Sequence, residues 1–420
     1  PNTYHLTLSN GTETRRLTAV STGGGMIRVI RVDDADLAMD GGYDETLAWF
    51  GSRLDFDPDL LCAALPADAA RKVETESGCL LHVRGQRCFS AAELAASLPG
   101  CRPVRVDGLG AVLPVRSHRG MAVPFSSAAD MLQWAARAGD RPSLYHLAVD
   151  YEMARSGLDE KAVLGRMRDI VQILRRSIRH GLEGTDYDDR ILGHQSGGFL
   201  DAMTSGRLVD AGVLNRIVLY VTALMEVKSS MGVIVAAPTA GACAALPATL
   251  IATGEALDLD DEDMARGMLA AGLIGVFISN RWSFAAEVGG CQAEGGSAAA
   301  MAAAALVTLQ GGSLEQAVGA ASMALQNMLG LICDPVAGRV EVPCLGKNVM
   351  AAGNAVSCAN MALAGYDAVI PFDETIDAAA EVSRRMPREH RCTALGGLAA
   401  TPASAALERR LGGCGSCGRD

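Results

Sequence analysis

Aromatic residues make up only 4% of this 420-residue chain. Positive charge is also short, since 37 Lys and Arg face 48 Asp and Glu for a net charge of −11. That balance argues against a nucleic-acid partner, which calls for a basic face. No membrane-spanning run stands out either. The longest uncharged stretch, residues 229–254, carries Gly232, Pro238, Gly241 and Pro247 around a polar Thr-Ala-Gly centre. It reads as a buried strand, loop and helix, not as a span. No secretory leader is expected from the opening residues, and the 12 cysteines lack the spacing of a disulfide framework. A reducing, cytoplasmic setting is expected, with thiols kept for packing or metal. What is abundant is small and apolar: 47 glycines, many alanines and 49% hydrophobic residues. Such a chain is globular and packs its helices closely.

Residues 3–9 and 15–20 alternate around Asn10-Gly11, a strong hairpin signal. Gly23, Gly24 and Gly25 precede a third strand over 26–32. They make either a plain turn or a place where a ligand meets the backbone. Pro1-Asn2-Thr3 enters this alternation at once, so residues 1–42 read as the later part of an α+β domain. Its earlier half would lie on another chain, have been removed, or belong to a longer protein of which this sequence is a fragment. Residues 43–122 read as a small αβ insert, with helices over 57–70 and 90–97 and strands over 80–83 and 104–106. Its Cys62, Cys79, Cys88 and Cys101 fit no metal template. Residues 123–420 read as one helical domain, with helices over 145–156, 159–179, 209–225, 243–253, 262–279, 297–309, 348–364 and 373–385. His180-Gly181 is expected to end the second of these, and Ser313 with Gln316 forms a capping box. The acidic turn at 258–263 lacks the mid-loop glycine of a calcium loop and reads as a charged helix start. The expected fold class is therefore mainly α: a large helical domain preceded by a partial α+β domain and a small αβ insert.

Between 287 and 348 stand three cysteines in apolar, Gly- and Ala-rich surroundings: Cys291, Cys333 and Cys344. No CxxC pair occurs in that stretch, so a zinc ribbon and a bacterial ferredoxin run are excluded. Inert buried thiols are the default in such a core. Three thiolates from three turns also suit an iron–sulfur cluster that keeps one iron free to act as a Lewis acid. Elimination from a hydroxylated substrate would further need a base and donors for a carboxylate. Lys347 and Asn348 put a cation and an amide close to Cys344, and Asp334 and Glu294 are near enough to cysteines to serve as base or supporting partner. The loop Thr239-Ala240-Gly241 before a helix offers N–H groups to an anion, or is a packing turn. His118, His180 and His194 are further acid–base candidates, each with a plain surface or capping reading.

The wording of these segments resembles the iron–sulfur-dependent L-serine dehydratase family. The resemblance rests on Glu287-Val288-Gly289-Gly290-Cys291-Gln292-Ala293-Glu294, Cys333-Asp334-Pro335-Val336-Ala337-Gly338, Val342-Pro343-Cys344 and Ala236-Ala237-Pro238-Thr239-Ala240-Gly241-Ala242-Cys243. Ser196-Gly197-Gly198 and Arg391-Cys392-Thr393-Ala394-Leu395-Gly396-Gly397-Leu398 belong to it too. It covers almost all of 123–403, and residues 1–32 resemble the end of that family's β domain. Membership implies a [4Fe–4S] cluster on Cys291, Cys333 and Cys344, and deamination of L-serine to pyruvate and ammonia. Their positions beside Cys344 and before a helix make Lys347, Asn348 and Thr239 the expected catalytic residues. Substrate contacts would come from Gly23, Gly24, Gly25, Ser196, Gly197, Gly198, Thr239, Ala240 and Gly241. Cys414 or Cys417 could cap the open iron.

The chain also departs from the family. Its His-bearing β segments are absent, the 43–120 region is unlike the usual short linker, Gly346 stands where Glu is usual, and Thr22 where Ile is common. The expected partners are a small amino acid and a chain that supplies the missing β half, in a homo- or hetero-oligomer, with neither nucleic acid nor membrane. Two other readings stay open: elimination from threonine, cysteine or another β-substituted amino acid, and a non-catalytic iron–sulfur partner or sensor subunit.

Overall fold

The computed structural model describes residues 3–76, 78–113, 121–137, 142–188 and 190–411. The chain forms two compact units, residues 1–122 and 123–420. His118, Cys414 and Cys417 fall outside the described residues.

The first unit holds two antiparallel sheets. Strands β1 (Thr3–Ser9), β2 (Thr14–Gly23), β3 (Met26–Val32) and β4 (Ala35–Met39) form a meander in sequence order. Then come β5 (Asp44–Phe50), α1 (Pro58–Ala64), β6 (Ala69–Thr75), β7 (Gly78–Gly85), α2 (Ala91–Ser97) and β8 (Arg105–Leu109). Their sheet order, β6-β7-β5-β8, is that of the split β-α-β-β-α-β arrangement. Ala35, Leu37 and Met39 share a small apolar cluster with Leu47 and Leu80. The helix expected over 57–70 stops at Ala64, and residues from Ala69 form β6 instead. Pro66 explains the stop, because the residue before a proline is pushed out of the helical region. β5 carries no alternation to find, since six of its seven residues are buried.

The second unit is built of α3 (Ala128–Arg137), α4 (Leu144–Ser156), α5 (Glu160–Glu183), α6 (Gln195–Thr204), α7 (Val213–Ser229), α8 (Ala245–Ala256) and α9 (Asp261–Arg281). After them come α10 (Ala286–Gly289), a π-helical turn (Gln292–Gly296), α11 (Ser297–Leu309), α12 (Leu314–Gln326), α13 (Cys344–Leu363), α14 (Phe372–Arg385) and α15 (Pro402–Arg410). The Ala-rich α11 lies at the centre and packs against α8, α9, α12 and α13. Its side chains end at Cβ over most of its length, so four helices approach it closely. Ends are sealed by distant groups as well as local ones. Asp373 accepts from the N–H groups of Ala128 and Ala129 at the start of α3, and Ser313 and Gln316 close the capping box of α12.

Two sequence expectations fail here. His180-Gly181 does not end α5, which runs to Glu183 and is capped by Gly184. Gly181 is needed for another reason: a Cβ there would lie 2.3 Å from the carbonyl oxygen of Ala223 on α7. Nor is the apolar run 231–237 a buried strand. It is irregular, with Met231 92% and Val233 73% exposed. Apart from one bridge between Cys333 and Arg391, the described residues of this unit offer no strand for it to pair with. No helix among the described residues is long and apolar enough to cross a membrane.

Candidate functional site

Gly290 turns the chain from α10 into Cys291. Its φ is +69°, and a Cβ would meet Leu331 O at 2.9 Å. Only glycine satisfies both limits. Gln292, fully buried, then joins two remote segments. Its Oε1 accepts from Gly330 N at 2.8 Å, its Nε2 donates to Ser383 Oγ at 3.0 Å, and its own N–H donates to Leu331 O. These bonds carry the 330–333 segment against Cys291. Cys291, Cys333 and Ala286 form one buried cluster, with Cys392 packed on it. A π-helical turn follows directly, a feature that often accompanies functional sites.

Cys344 opens α13 just after the cis Val342–Pro343 bond. The helix starts there and not at Asn348, so Lys347 and Asn348 both lie within its first turns. Cys344 is buried and within electrostatic reach of Cys291. Lys347 Nζ donates to Asp334 Oδ1 at 2.5 Å and to Ile332 O at 2.6 Å, and lies 3.8 Å from Cys291 Sγ. Burial opposes its charge, but Cys291 and Asp334 outweigh that and hold Lys347 above the ordinary lysine value. Hydrogen bonding with Cys333 holds the Cys291 thiol below its usual value, against burial and with help from Lys347. The other oxygen of Asp334 accepts from Leu398 N at 2.9 Å.

Asn348 is a bridge. Its Oδ1 accepts from Ala244 N and Ala245 N, while its Nδ2 donates to Gly241 O and Cys344 O. The start of α8 is thereby fastened to the start of α13. Thr239 Oγ1 donates to Glu294 Oε1 at 2.9 Å and accepts from Ala242 N at 3.0 Å. Glu294 packs on Gly241, where a Cβ would come within 2.7 Å of the carboxylate. Burial raises the Glu294 carboxyl to about 7, although Thr239 and Lys228 pull the other way. Asp334, Glu294, Thr239, Gly241, Lys347 and Asn348 thus lie in one connected region with Cys291, Cys333 and Cys344. Among the described residues no three His, Cys, Asp or Glu side chains are arranged to hold a single metal ion.

Ser196, Gly197 and Gly198 form the first turn of α6. Their helix end is filled from within the protein: Glu226 accepts from Gln195 N, Ser196 N and Ser196 Oγ. His194 precedes this turn, with Nε2 3.2 Å from Gly181 O and 3.9 Å from Glu226 Oε2. His180 is exposed on α5. A groove of about 490 Å³ runs past His194, Gly198, Phe199 and Leu345, the last being next to Cys344. Gly23, Gly24 and Gly25 belong to the first unit. Gly23 pairs with Met26, and Gly24 and Gly25 have φ of +65° and +93°, as a tight hairpin turn requires.

Three residues escape the sequence reading. Glu226 caps α6 from the buried face of α7. Glu341 accepts from Ile191 N and Leu192 N and so fixes the approach to α6. Lys228, at the end of α7, donates to Val340 O and feels Cys344, Glu341 and Glu294; burial lowers it from the ordinary lysine value. For Glu226 and Lys228 the available signal was one carboxylate and one amine closing α7 after its uncharged run 217–225.

The family model "Serine dehydratase alpha chain" matches residues 126–399. "Probable L-serine dehydratase, alpha chain" of Bacillus subtilis is 40% identical over 262 residues, 62% of this chain and 87% of that one. "L-serine dehydratase, alpha chain" of Peptoniphilus asaccharolyticus is 37% identical over 267 residues, 63% of this chain and 91% of its own length. "L-serine dehydratase" of Streptomyces coelicolor is 33% identical over 307 residues, 72% of this chain and 67% of that protein. The match to the family model takes in Ser196, Thr239, Glu294, Lys347 and all three candidate cysteines, and the chain belongs to the serine dehydratase alpha-chain family of lyases.

Proposed function

We propose that this chain deaminates L-serine to pyruvate and ammonia with a [4Fe–4S] cluster held by Cys291, Cys333 and Cys344. The observation that carries this is that Cys291 and Cys333, from segments far apart in sequence, pack in one buried cluster with Lys347 3.8 Å from Cys291 Sγ, while the buried Cys344 lies within electrostatic reach of Cys291 and Glu294. The donor set is soft and thiol-only, which suits iron–sulfur and not a hard cation. When bound, such a cluster supplies a Lewis acid for the substrate hydroxyl.

The remaining work falls to side chains. Glu294, with its carboxyl raised to about 7 by burial, is poised to take the α proton. Thr239 holds that carboxylate in place. Lys347 is already paired with Asp334, so it steadies the Cys291 thiolate and does not anchor substrate. Lys228, within electrostatic reach of Cys243, Cys344 and Glu294, is the cation assigned to the substrate carboxylate. Asn348 positions the loop Thr239-Ala240-Gly241. Loss of the proton and the hydroxyl leaves an enamine, which hydrolyses to pyruvate and ammonia.

The relatives from Bacillus subtilis and Peptoniphilus asaccharolyticus are named alpha chains, which supports a partner chain that completes the site. Free thiols throughout the described residues support the cytoplasmic setting proposed for it. The test is to purify the chain without oxygen, alone and with a chain bearing the β part, and to measure pyruvate from L-serine. Turnover of serine, lost in Glu294→Gln with the cluster intact, is the expected result. Turnover of threonine or cysteine in preference to serine would move the substrate assignment. A retained cluster with no turnover of any of them would overturn the reading in favour of a sensor or partner subunit.

A further inference from the structure

The first unit buries two ionisable side chains that no step of the reaction uses. His82 on β7 is 1% exposed and Glu45 on β5 is 3% exposed. His82 Nε2 meets Glu45 Oε2, which also accepts from Arg84 Nε at 3.3 Å. Glu45 Oε1 is buried with no hydrogen-bond partner among the described residues. At the other ring nitrogen, Arg71 Nε on β6 donates to His82 Nδ1 at 3.3 Å. Arg71 also reaches out of its own sheet, and its Nη2 donates to Asp36 O on β4 at 2.8 Å. One guanidinium therefore ties the meander to the second sheet, and one imidazole nitrogen holds that guanidinium in place. Beside this tie, Leu37 and Met39 of β4 pack on Leu47 and Leu80.

These bonds fix the state of the ring. An arginine has donors only and keeps its charge, so Nδ1 must accept, and the imidazole is neutral with its proton on Nε2, aimed at Glu45. A second proton, on Nδ1, would set one N–H against another. The charges nearby offer that proton no partner. Arg84 lies over the Tyr43 ring at 5.5 Å. The Asp36 carboxylate pairs with Arg31, and Lys72 and Glu74 of β6 pair with each other. Asp107 on β8 is bound by Arg105 and faces Arg15, and Asp44 accepts from Ala111 N. Among the described residues the one carboxylate in contact with the ring is Glu45, at Nε2. We propose that His82 is a proton-sensitive latch between the two sheets of the first unit. Neutral, it holds Arg71 on β4; protonated, it expels the guanidinium and frees β4 from β6. Arg71 is exposed, so it can leave to solvent. Histidine changes charge between about pH 5 and 8, and one buried neutral has to charge as acid opens a fold. The latch is therefore closed at neutral pH and lost as pH falls. It is independent of the cluster and of the substrate assigned above.

The test uses the full chain, kept anaerobic, as parent and as His82→Gln. Glutamine offers Glu45 an amide donor and Arg71 an oxygen acceptor, but takes up no proton in this range. Amide hydrogen exchange is read by mass spectrometry at about pH 7.5 and about pH 5.5, within the range over which histidine titrates, after correction for the intrinsic effect of pH. In the parent, peptides covering 35–39 and 69–75 should exchange several-fold faster at the lower pH, while peptides of α11 keep their rate. In His82→Gln all of them should keep their rate. Nitrogen NMR of histidine-labelled parent gives a readout that needs no variant to fold. At the upper pH the ring most protected from solvent exchange should be neutral, with its proton on Nε2. A charged ring there, or one with its proton on Nδ1, would overturn the proposal. So would equal exchange of 35–39 and 69–75 at both pH values in the parent, or the same acid response in His82→Gln. An equal rise in α11 would overturn it as well, since acid would then be loosening the chain at large.

Discussion

Glu294 carries the clearest pH consequence. Its ordinary value of 4.5 rises to about 7 in the folded chain, chiefly through burial. Between those values the folded protein keeps a proton that the unfolded chain releases, so stability falls as pH rises through that window. The favourable contribution is whole below 4.5 and gone above 7. Removing the charge with Glu294→Gln should therefore leave cluster-free protein little changed at pH 4.5 and more stable above pH 7, by up to roughly 3 kcal/mol. Urea unfolding of parent and variant across that range measures it, and a difference that stays constant with pH would sink the idea. At this scale the sequence supplied the residue types. Lys347, Asn348 and Thr239 are all in the region it pointed to, but their partners were invisible. Lys347 is neutralised by Asp334, and Asn348 is spent on four backbone groups. The partners come from loops that only folding brings near.

Helix contacts show the same division at the next scale. α11 and the capping box of α12 occur where small-residue content and local capping place them, because both signals are local. The end of α5 does not, because Gly181 answers to α7 and not to its own helix. Gly181→Ala is expected to drive the two helices apart and to destabilise the second unit by about 1–3 kcal/mol, as overpacking does. A chemical denaturation midpoint equal to that of the parent would show that the backbone gives way cheaply. The first turn of α6 makes a related point. A Ser-Gly-Gly helix start invites an anion, yet the anion present is the protein's own Glu226.

Over the whole chain, the two units keep separate cores. The largest cluster draws on residues from Phe125 to Ala379, whereas those of the first unit lie between Ala35 and Leu98. Residues 123–420 expressed alone should thus unfold in one cooperative thermal transition. A broad, featureless melt by calorimetry would show instead that the first unit is needed for the second to fold. The first unit was also the harder to read. Its hairpins announce themselves through Asn10-Gly11 and the three glycines, but β5 is buried on both faces and loses the alternation by which strands are recognised.

What the sequence by itself determined is the helical class of 123–420, the family, and the three cysteines worth examining, since periodicity, capping and motif wording are all carried by residues close together in the chain. Tertiary structure alone decided which groups are already paired. It spent Lys347 on Asp334, spent Glu226 on α6, raised Glu294 by burial and set Cys392 beside Cys333. Those outcomes depend on distance and dielectric between segments remote in sequence, and no local pattern encodes them.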